Sequence, residues 1–252
     1  GSAAFTSCQI IVRDKGEVRA EEVTVEAFYS WQREFGLEEE SKLQVLLHRL
    51  GRQRERIAGS SLFEPVIMGI VNATPDSFSE HGQQKTTEQA ITCGRELFKA
   101  GAKFIDVGGE STRPGAQHIS TEVEQKRVIP IVRGLVADGI PVSIDTYHPE
   151  TMLAAAENGA LIINDVTALT GYADSATVAA STGVATILVH SAKSKIIGPL
   201  HARERIAVDV YDYLENRIEA VCASGVERSK IIVDPGLGFG KTSGENLRVL
   251  NW

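Results

Sequence analysis

The stretch that decides the fold is residues 141–166, PVSIDTYHPETMLAAAENGALIINDV. Two short apolar runs, 141–146 and 161–166, flank a segment that carries helix signals. Pro149 stands where a helix can begin, and Gly159 stands where one can end. The runs lack a clean polar–apolar alternation, which is typical of strands buried on both faces in a parallel sheet. The stretch therefore predicts a strand, a helix and a second, parallel strand.

The same alternation recurs along the chain on both sides of this stretch. The apolar runs are Val66–Ala73, Phe104–Gly109, Pro141–Thr146, Leu161–Val166, Ala185–His190 and Ile231–Gly236. Between them, Thr121 and Glu124 fit a capping box, and an apolar helix face runs on to Val136. Apolar residues also recur at helical spacing over 206–221, and we expect Arg217 to lay its stem along that stripe. The pattern thus predicts six strand–helix units.

Strands that alternate with helices predict an α/β fold with a parallel sheet. This number of units favours a (β/α)8 TIM barrel over an open dinucleotide-binding sheet, and no GxGxxG sequence follows the first strand. A closed barrel has eight units, and six would leave two edges with unpaired backbone groups. We therefore expect a TIM barrel that lacks its last two strand–helix units in this sequence and a native chain that continues past Trp252. An unusual closure of six strands is the alternative.

Residues 1–64 differ from the rest of the chain in their pattern. Gln9–Val12 and Glu22–Val25 fit short strands, and the charged stretch Glu38–Ala58 fits one long helix. Its arginines at 52, 54 and 56 are interpreted as a solvated helix face. The sequence therefore predicts an N-terminal accessory segment at 1–64 and a barrel domain at 65–252.

The bulk composition excludes several classes of partner. The 252 residues are 42% hydrophobic and 23% charged, as in ordinary soluble proteins, and a net charge of −7 argues against a broad nucleic-acid surface. No apolar run is long enough to cross a membrane. Cys8, Cys93 and Cys222 lack metal-binding spacing and fit free thiols in a reducing compartment. We predict a cytoplasmic protein without nucleic-acid or membrane partners. An organellar location stays open because Gly1-Ser2 is typical of a cloning remnant.

Polar residues cluster at the carboxyl ends of the predicted strands. They are Asn72, Asp106, Asp145, Asn164, Asp165, His190 and Asp234. In a (β/α) barrel these ends converge on one mouth, where active sites are built, and buried carboxylates are costly without partners. The group is rich in hydrogen-bond acceptors, so it fits a flat heterocycle with N–H and amino donors. A divalent metal is the alternative ligand, and both fit if Asn72 binds the metal while the deeper groups bind the ring.

Five motifs, in this order along the chain, resemble those of dihydropteroate synthases. They are MGIVNATPDSFS at 68–79, GGESTRPG at 108–115, PVSIDT at 141–146, IIND at 162–165 and VDPGLGFGK at 233–241. The resemblance implies a sulfonamide-targeted transferase of folate biosynthesis. Such an enzyme joins 6-hydroxymethyl-7,8-dihydropterin pyrophosphate to p-aminobenzoate and releases pyrophosphate. The resemblance also implies Mg²⁺ as cofactor, a homodimer, and fusion to or association with other folate-pathway domains.

The resemblance further implies roles for individual residues. It implies that the pterin is bound by Asp145, Asn164, Asp234 and Lys241. The p-aminobenzoate pocket falls to Phe78, Thr112, Pro114 and Phe239, and Asn72 would hold Mg²⁺ against the pyrophosphate with Thr112 beside it. Asp145, Asp234 and Arg113 would be the catalytic residues. The two aspartates would favour the positive charge that develops on the pterin ring as pyrophosphate leaves.

The sequence departs from the family pattern at three places. Glu80-His81-Gly82 replaces the usual Asp-Gly-Gly, and His190-Ser191-Ala192 is closer to acquired sulfonamide-resistant relatives. The later cationic motifs of the family would lie beyond Trp252, so the local positive charge falls to Mg²⁺, Arg113 and Lys241. We therefore expect inefficient turnover from this stretch alone.

Two other functions stay open. A methyltetrahydrofolate-dependent methyltransferase uses the same kind of pterin-binding barrel, but it does not require Asn72 or the motif at 112–114. A catalytically inactive pterin-binding or structural module is favoured by the cationic motifs that this sequence lacks and opposed by the intact ones.

Overall fold

The computed structural model describes residues 6–14, 17–27, 45, 56–61, 64–74, 86–111, 118–191 and 206–251. The chain divides into two units, Gly1–Glu55 and Arg56–Trp252. In the first, β1 (Ser7–Asp14) and β2 (Glu17–Thr24) form an antiparallel hairpin. The two strands predicted for this segment overlap β1 and β2.

The helix predicted over 38–58 lies largely outside the described residues, but its predicted end is wrong. Ile57 and Ser60 form an isolated β-bridge. The two residues between them, Ala58 and Gly59, have φ of 48° and 79°. Positive φ values at consecutive positions are incompatible with a right-handed helix, so the backbone makes a tight turn here.

The second unit is a six-stranded parallel sheet with helices. Its strands are β3 (Met68–Asn72), β4 (Phe104–Gly108), β5 (Val142–Asp145), β6 (Ile162–Asp165), β7 (Ala185–Val189) and β8 (Ile231–Asp234). Its helices are α1 (Thr87–Lys99), α2 (Thr121–Ala137), α3 (Pro149–Glu157), α4 (Ser175–Thr182), α5 (Ile206–Ala223) and α6 (Ser243–Asn251). A 3₁₀ turn, Arg228–Lys230, precedes β8.

The strands pair in chain order from β3 to β8. β3 and β8 are therefore the two edge strands of the described sheet. The predicted α/β fold with parallel strands is confirmed. The sheet is that of a partial TIM barrel, and it does not close within the described part of the chain. Across these same residues, none of the helices has the length and apolar character that spanning a membrane requires.

Local sequence signals explain where the helices begin. Thr86 caps α1 through a capping box with Gln89, and α3 begins at Pro149 as predicted. The capping box predicted at Thr121 and Glu124 is wrong, because the cap of α2 lies one residue earlier. Ser120 is the N-cap, and its Oγ accepts a hydrogen bond from the backbone N–H of Val123 at 3.4 Å. Glu124 is thereby left for a different contact.

The two faces of the sheet bury different residues, because successive side chains of a strand point to opposite sides. One face is covered by helices, and its core includes Ile105, Val107, Val142, Ile144, Ile163 and Leu188. The opposite side, called the inner face below, carries a second apolar cluster of Phe104, Ile162, Ala185, Ile187 and Val189. A polar residue that shares the alternation of the second cluster therefore lies on the inner face, away from the helices.

Candidate active site

A row of polar residues crosses the inner face at the carboxyl end of the sheet. Asn72 pairs in register with Gly108, Gly108 with Asp145, and Asp145 with Asn164. A methyl group built on Gly108 would lie 3.2 Å from Asp145 Oδ2 and 3.4 Å from Asn72 Oδ1. The missing side chain of Gly108 therefore leaves a gap that oxygens from both neighbouring strands approach.

Asp234 adds a carboxylate to this end of the sheet from β8. It pairs with Val189 of the inner apolar cluster, so its side chain shares the inner face with the row. Asp234 Oδ1 accepts a hydrogen bond from the backbone N–H of Gly236 at 2.6 Å. This contact fixes the direction of the carboxylate at the start of the loop that follows β8.

Lys241 clamps that loop to the end of β7. Its Nζ donates to the carbonyl oxygens of Gly236, at 2.8 Å, and His190, at 3.3 Å. Burial lowers the pKa of Lys241, while the negative charges of Asp234 and Glu245 oppose the change. Lys241 is only 9% exposed, so it is part of the site's framework and not a solvated loop charge.

Two carboxyl groups at this end of the sheet have raised pKa values. The pKa of Asp145 lies well above its usual range because the group is buried and because Asp106, Asp165 and Glu124 add negative charge nearby. Burial likewise raises the pKa of Asp106, and the nearby polar side chains of Ser143 and Asn164 oppose the rise. A ligand that brings hydrogen-bond donors or positive charge would relieve this repulsion.

The remaining predicted site residues divide into two groups. Phe239 is partly buried and packs against the inner apolar cluster. Four residues predicted to contact p-aminobenzoate or pyrophosphate lie outside the described residues, namely Phe78, Thr112, Arg113 and Pro114. The structure therefore brings together Asn72, Asp145, Asn164, Asp234 and Lys241 among the predicted pterin and metal ligands.

Two of the seven strand-end residues do not face the predicted mouth. Asp165 follows Asn164 and therefore points to the helix-covered face. Its carboxylate accepts hydrogen bonds from the backbone N–H groups of Thr167, at 2.7 Å, and Leu169, at 2.9 Å. Arg217 Nε donates to the carbonyl oxygen of Ala168 at 3.0 Å and braces the same turn. Asp165 is a structural cap because its acceptors are used locally.

His190 is the second of these residues. The residue is 1% exposed, and its ring packs edge-on against Tyr213 of α5, with ring centroids 5.1 Å apart. Burial, together with the positive charge of Lys241, lowers the pKa of His190 to about 4. The imidazole is therefore neutral at pH 7 and packs against a helix, while only the backbone of His190 takes part in the Lys241 clamp.

A buried network that the sequence did not predict lies next to Asp145. Glu124 Oε2 accepts a hydrogen bond from Thr146 Oγ1 at 2.8 Å and lies 3.0 Å from His148 Nδ1. All three residues are at most 3% exposed. The contacts tie α2 to the segment that follows β5. The Thr-x-His sequence after Asp145 was the available signal, but only the fold shows that Glu124 is its partner.

A second network surrounds Glu110, at the start of the loop after β4. Glu110 Oε1 accepts a hydrogen bond from the Tyr147 hydroxyl at 2.8 Å and lies 3.0 Å from His118 Nδ1. Burial and the nearby Glu110 raise the pKa of Tyr147. Tyr147 also stacks on Tyr172, with centroids 6.2 Å apart. These contacts link the loops that follow β4, β5 and β6 around the site.

Several known proteins are similar to this chain in sequence and in fold. Residues 68–252 match the family model for pterin binding enzymes. The dihydropteroate synthase of Streptococcus pyogenes serotype M6 is 40% identical over 185 residues, which are 73% of this chain and 67% of that protein.

Two solved structures of the Xanthomonas albilineans dihydropteroate synthase are also similar. One, with 4-aminobenzoic acid, has a TM-score of 0.71 and 39% identity and covers 79% of this chain and 72% of that one. The other, with 7,8-dihydropteroate, has a TM-score of 0.66 and 36% identity and covers 76% and 68% of the two chains. The family match spans the whole parallel sheet and its helices, and the chain therefore belongs to the pterin-binding enzyme family.

Proposed function

We propose that this chain is a dihydropteroate synthase that joins 6-hydroxymethyl-7,8-dihydropterin pyrophosphate to p-aminobenzoate in folate biosynthesis. The observation that carries the proposal is the set of acceptors on the inner face, Asp145, Asn164 and Asp234. A relative at 36% identity has been solved with 7,8-dihydropteroate, the product of this reaction. The site and the relative thus support the same substrate class.

Recognition of the pterin follows from the acceptors. A pterin ring presents N–H and amino donors along one edge, and carboxylate and amide oxygens accept them. Asp145 is buried, where its negative charge is costly. A ring donor that forms a hydrogen bond to this carboxylate therefore contributes favourably to the binding free energy. We assign Asp145, Asn164 and Asp234 to the ring, and Lys241 to the support of the same end of the site.

Asn72 and the gap at Gly108 fit a bound Mg²⁺. The amide oxygen of Asn72 approaches this gap from one side, and an oxygen of Asp145 approaches it from the other. The described residues contain no group of three His, Cys, Asp or Glu side chains that could cage an ion by themselves. Mg²⁺ suits such a place because it commonly takes one or two protein oxygens and completes its shell with phosphate and water. When bound, Mg²⁺ would neutralise negative charge on the leaving pyrophosphate.

The reaction needs little acid–base chemistry from the protein. The bond between the pterin methylene carbon and the pyrophosphate oxygen breaks, and its electron pair leaves with pyrophosphate. The amine nitrogen of p-aminobenzoate forms the new C–N bond and then loses one proton to solvent. Asp145 and Asp234 stabilise the positive charge that develops on the ring. By family resemblance, we assign the amine to Phe239 with Phe78, Thr112 and Pro114. We assign Thr112 to the departing pyrophosphate as well, and Arg113 would supply positive charge nearby.

A product assay tests the proposal. The purified chain is incubated with both substrates and Mg²⁺, and dihydropteroate and pyrophosphate are quantified by chromatography and a coupled assay. We expect the two products in equal amounts, with loss of both in Asp234→Ala and normal formation in the exposed control Asp174→Ala. Pterin binding without either product would instead support an inactive pterin-binding module. Methyl transfer from methyltetrahydrofolate to a corrinoid would support the methyltransferase alternative.

We further propose that the protein acts in the cytoplasm as a homodimer, as the family resemblance implies. Sedimentation equilibrium of the purified chain is the measurement for the second part. A mass of about twice the 27.2 kDa of one chain supports it, and a mass that stays monomeric at micromolar concentrations contradicts it.

A further inference from the structure

Asp106 lies one layer below the row of site residues. It is two positions before Gly108 on β4, so both share the inner face, and it pairs in register with Ile70 and Ser143. Its side chain is buried, with 6% of the residue exposed. It is not among the residues that the proposed function places against the pterin.

The contact that Asp106 makes is with Asn164. Asn164 Nδ2 donates a hydrogen bond to Asp106 Oδ2 at 2.9 Å, across a sequence separation of 58 residues. An amide has a donor end and an acceptor end, whereas a carboxylate oxygen only accepts. The contact therefore holds only one orientation of the Asn164 amide, with its NH₂ group towards Asp106.

The other end of the Asn164 amide is left for a ligand. Asn164 Oδ1 is buried and has no hydrogen-bond partner among the described residues. A buried acceptor without a partner costs free energy, which a ligand donor recovers on binding. The reversed amide would instead place two acceptor oxygens against each other. Asp106 thus determines which chemical group β6 offers to the site.

We propose that Asp106 is a positioning residue that fixes the orientation of the Asn164 amide, so that the site offers an acceptor at β6 and selects rings with a donor there. The inference rests on the pterin site proposed above and adds a residue that sets its specificity. Asp106 acts through Asn164 and needs no contact with the substrate. Asp106 selects this orientation as the ionised carboxylate, because a protonated Asp106 could also donate to the oxygen of a reversed amide.

Pterin binding to designed variants tests this role. In Asp106→Leu the Nδ2 group loses its acceptor, and binding the ring must then leave a buried donor unpaired. We expect the Kd for 6-hydroxymethylpterin, measured by calorimetry, to rise about tenfold, which corresponds to one lost hydrogen bond of about 1.4 kcal/mol. KM for the pterin substrate should rise by a similar factor, while kcat changes less than about threefold.

A swapped pair separates positioning from general packing. In the double variant Asp106→Asn and Asn164→Asp, the amide at position 106 donates a hydrogen bond to the carboxylate at position 164. The other oxygen of that carboxylate still offers an acceptor to the ring. We expect the swap to bind pterin within about threefold of wild type and more tightly than Asp106→Leu. Thr186→Val, a buried change on β7, is the control for loss of a core polar group and should leave the Kd unchanged.

Two binding results would overturn the inference. One is wild-type pterin affinity in a folded Asp106→Leu variant, and the other is a swap that binds no better than that variant. Neutron diffraction of the unliganded protein gives an answer that does not depend on any ligand, because the Asn164 deuterons must face Asp106. Deuterons that face the mouth would also refute it. If pterin binds as expected but no dihydropteroate forms, the proposed function fails while this inference stands.

Discussion

Neighbouring residues of the site have opposite tasks because a strand turns each side chain to the other face. Asn164 faces the site, while Asp165 caps a turn beneath the helices. At Asp145, the surroundings of the carboxyl group change its pKa and thereby its ability to bind a ligand. Its pKa is raised by burial and by three neighbouring carboxyl groups, so its ionised form is costly but is the form that a ring donor needs.

The first prediction concerns Asp145 and pH. Because only the ionised carboxylate accepts from two donors, pterin affinity should rise as the pH increases through the raised pKa of Asp145. Asp145→Asn should bind pterin more weakly at pH 7 and lose this dependence. Calorimetric titrations of both proteins from acid to alkaline pH provide the measurement, and parallel pH profiles would contradict the prediction.

The same shift has a consequence for stability with a definite sign. The folded protein holds the Asp145 proton more tightly than the unfolded chain does. The contribution of this group to stability therefore falls as the pH rises from 3.8, the ordinary pKa of an aspartate, through the raised pKa of the folded protein. Asp145→Asn should therefore be the more stable protein at neutral pH. The difference in unfolding free energy between the two proteins should shrink as the pH is lowered.

At the scale of elements, the loop after β8 and the start of α2 hold the site in shape. Lys241 fastens the loop to the end of β7, and Gly236 lets the chain pass close to that strand. Glu124 of α2 holds the segment after β5 by two side-chain contacts. Each element therefore offers a substitution whose effect follows from one identified contact.

The second prediction compares two glycines of the loop. Gly236 and Gly238 both have positive φ, 67° and 82°. A methyl group on Gly236 would collide with the carbonyl oxygen of His190, whereas one on Gly238 would meet nothing within 4 Å. Gly238→Ala should cost about 1 kcal/mol of stability, the penalty of the backbone alone, and Gly236→Ala at least about 3 kcal/mol.

Urea unfolding of both variants checks this comparison, and Gly236→Ala should also weaken pterin binding because it displaces Lys241. Equal losses of stability in the two variants would show that the close approach to β7 is unimportant.

The third prediction concerns the buried network on α2. Glu124→Ala removes the acceptor of Thr146 and His148, which stay buried, so the free energy of unfolding should fall by about 3 kcal/mol. The matched control is Glu122→Ala, an exposed acid on the same helical turn, which should stay close to wild type. Chemical denaturation is the measurement, and similar stabilities for the two variants would refute the role of the network.

At the scale of the whole molecule, the second unit has a core of its own. Both apolar clusters draw on residues from Ile57 onwards. Helices cover one face of the sheet. On the inner face, within the part of the chain that the structure describes, Ile70 of β3 is 62% exposed, whereas Ile162 of β6 is 1% exposed. The apolar core thus lies towards the middle strands, which also carry Asp145 and Asn164.

The fourth prediction follows from this separate core. A chain that begins at Arg56 should unfold within about 4 °C of the full chain, roughly the shift that 1 kcal/mol produces in a domain of this size. Its pterin affinity should change less than about threefold. Leu135→Ala, which opens a cavity in the helix-covered core, is the positive control for a lower Tm. Aggregation or loss of the cooperative transition in the shortened chain would show that residues 1–55 support the fold.

The sequence by itself was enough to predict the class of fold and most of the strand ends. Apolar runs such as 141–146 and 161–166 are typical of strands buried on both faces, and their alternation with helix signals favours a parallel sheet covered by helices. The helix start at Pro149 was predictable because proline acts locally. Local rules failed where two signals compete, as at Ser120, which caps α2 in place of the predicted Thr121.

Only the tertiary structure decided which strand-end groups face the site and which partners they have. The period of a strand predicts that Asn164 and Asp165 point apart, but burial against the helices decides which of them is turned inwards. The contacts of Asp106 with Asn164 and of Glu124 with His148 join residues 58 and 24 positions apart. No local preference encodes such pairs, because hydrogen bonds between distant side chains form only after the sheet has brought their strands together.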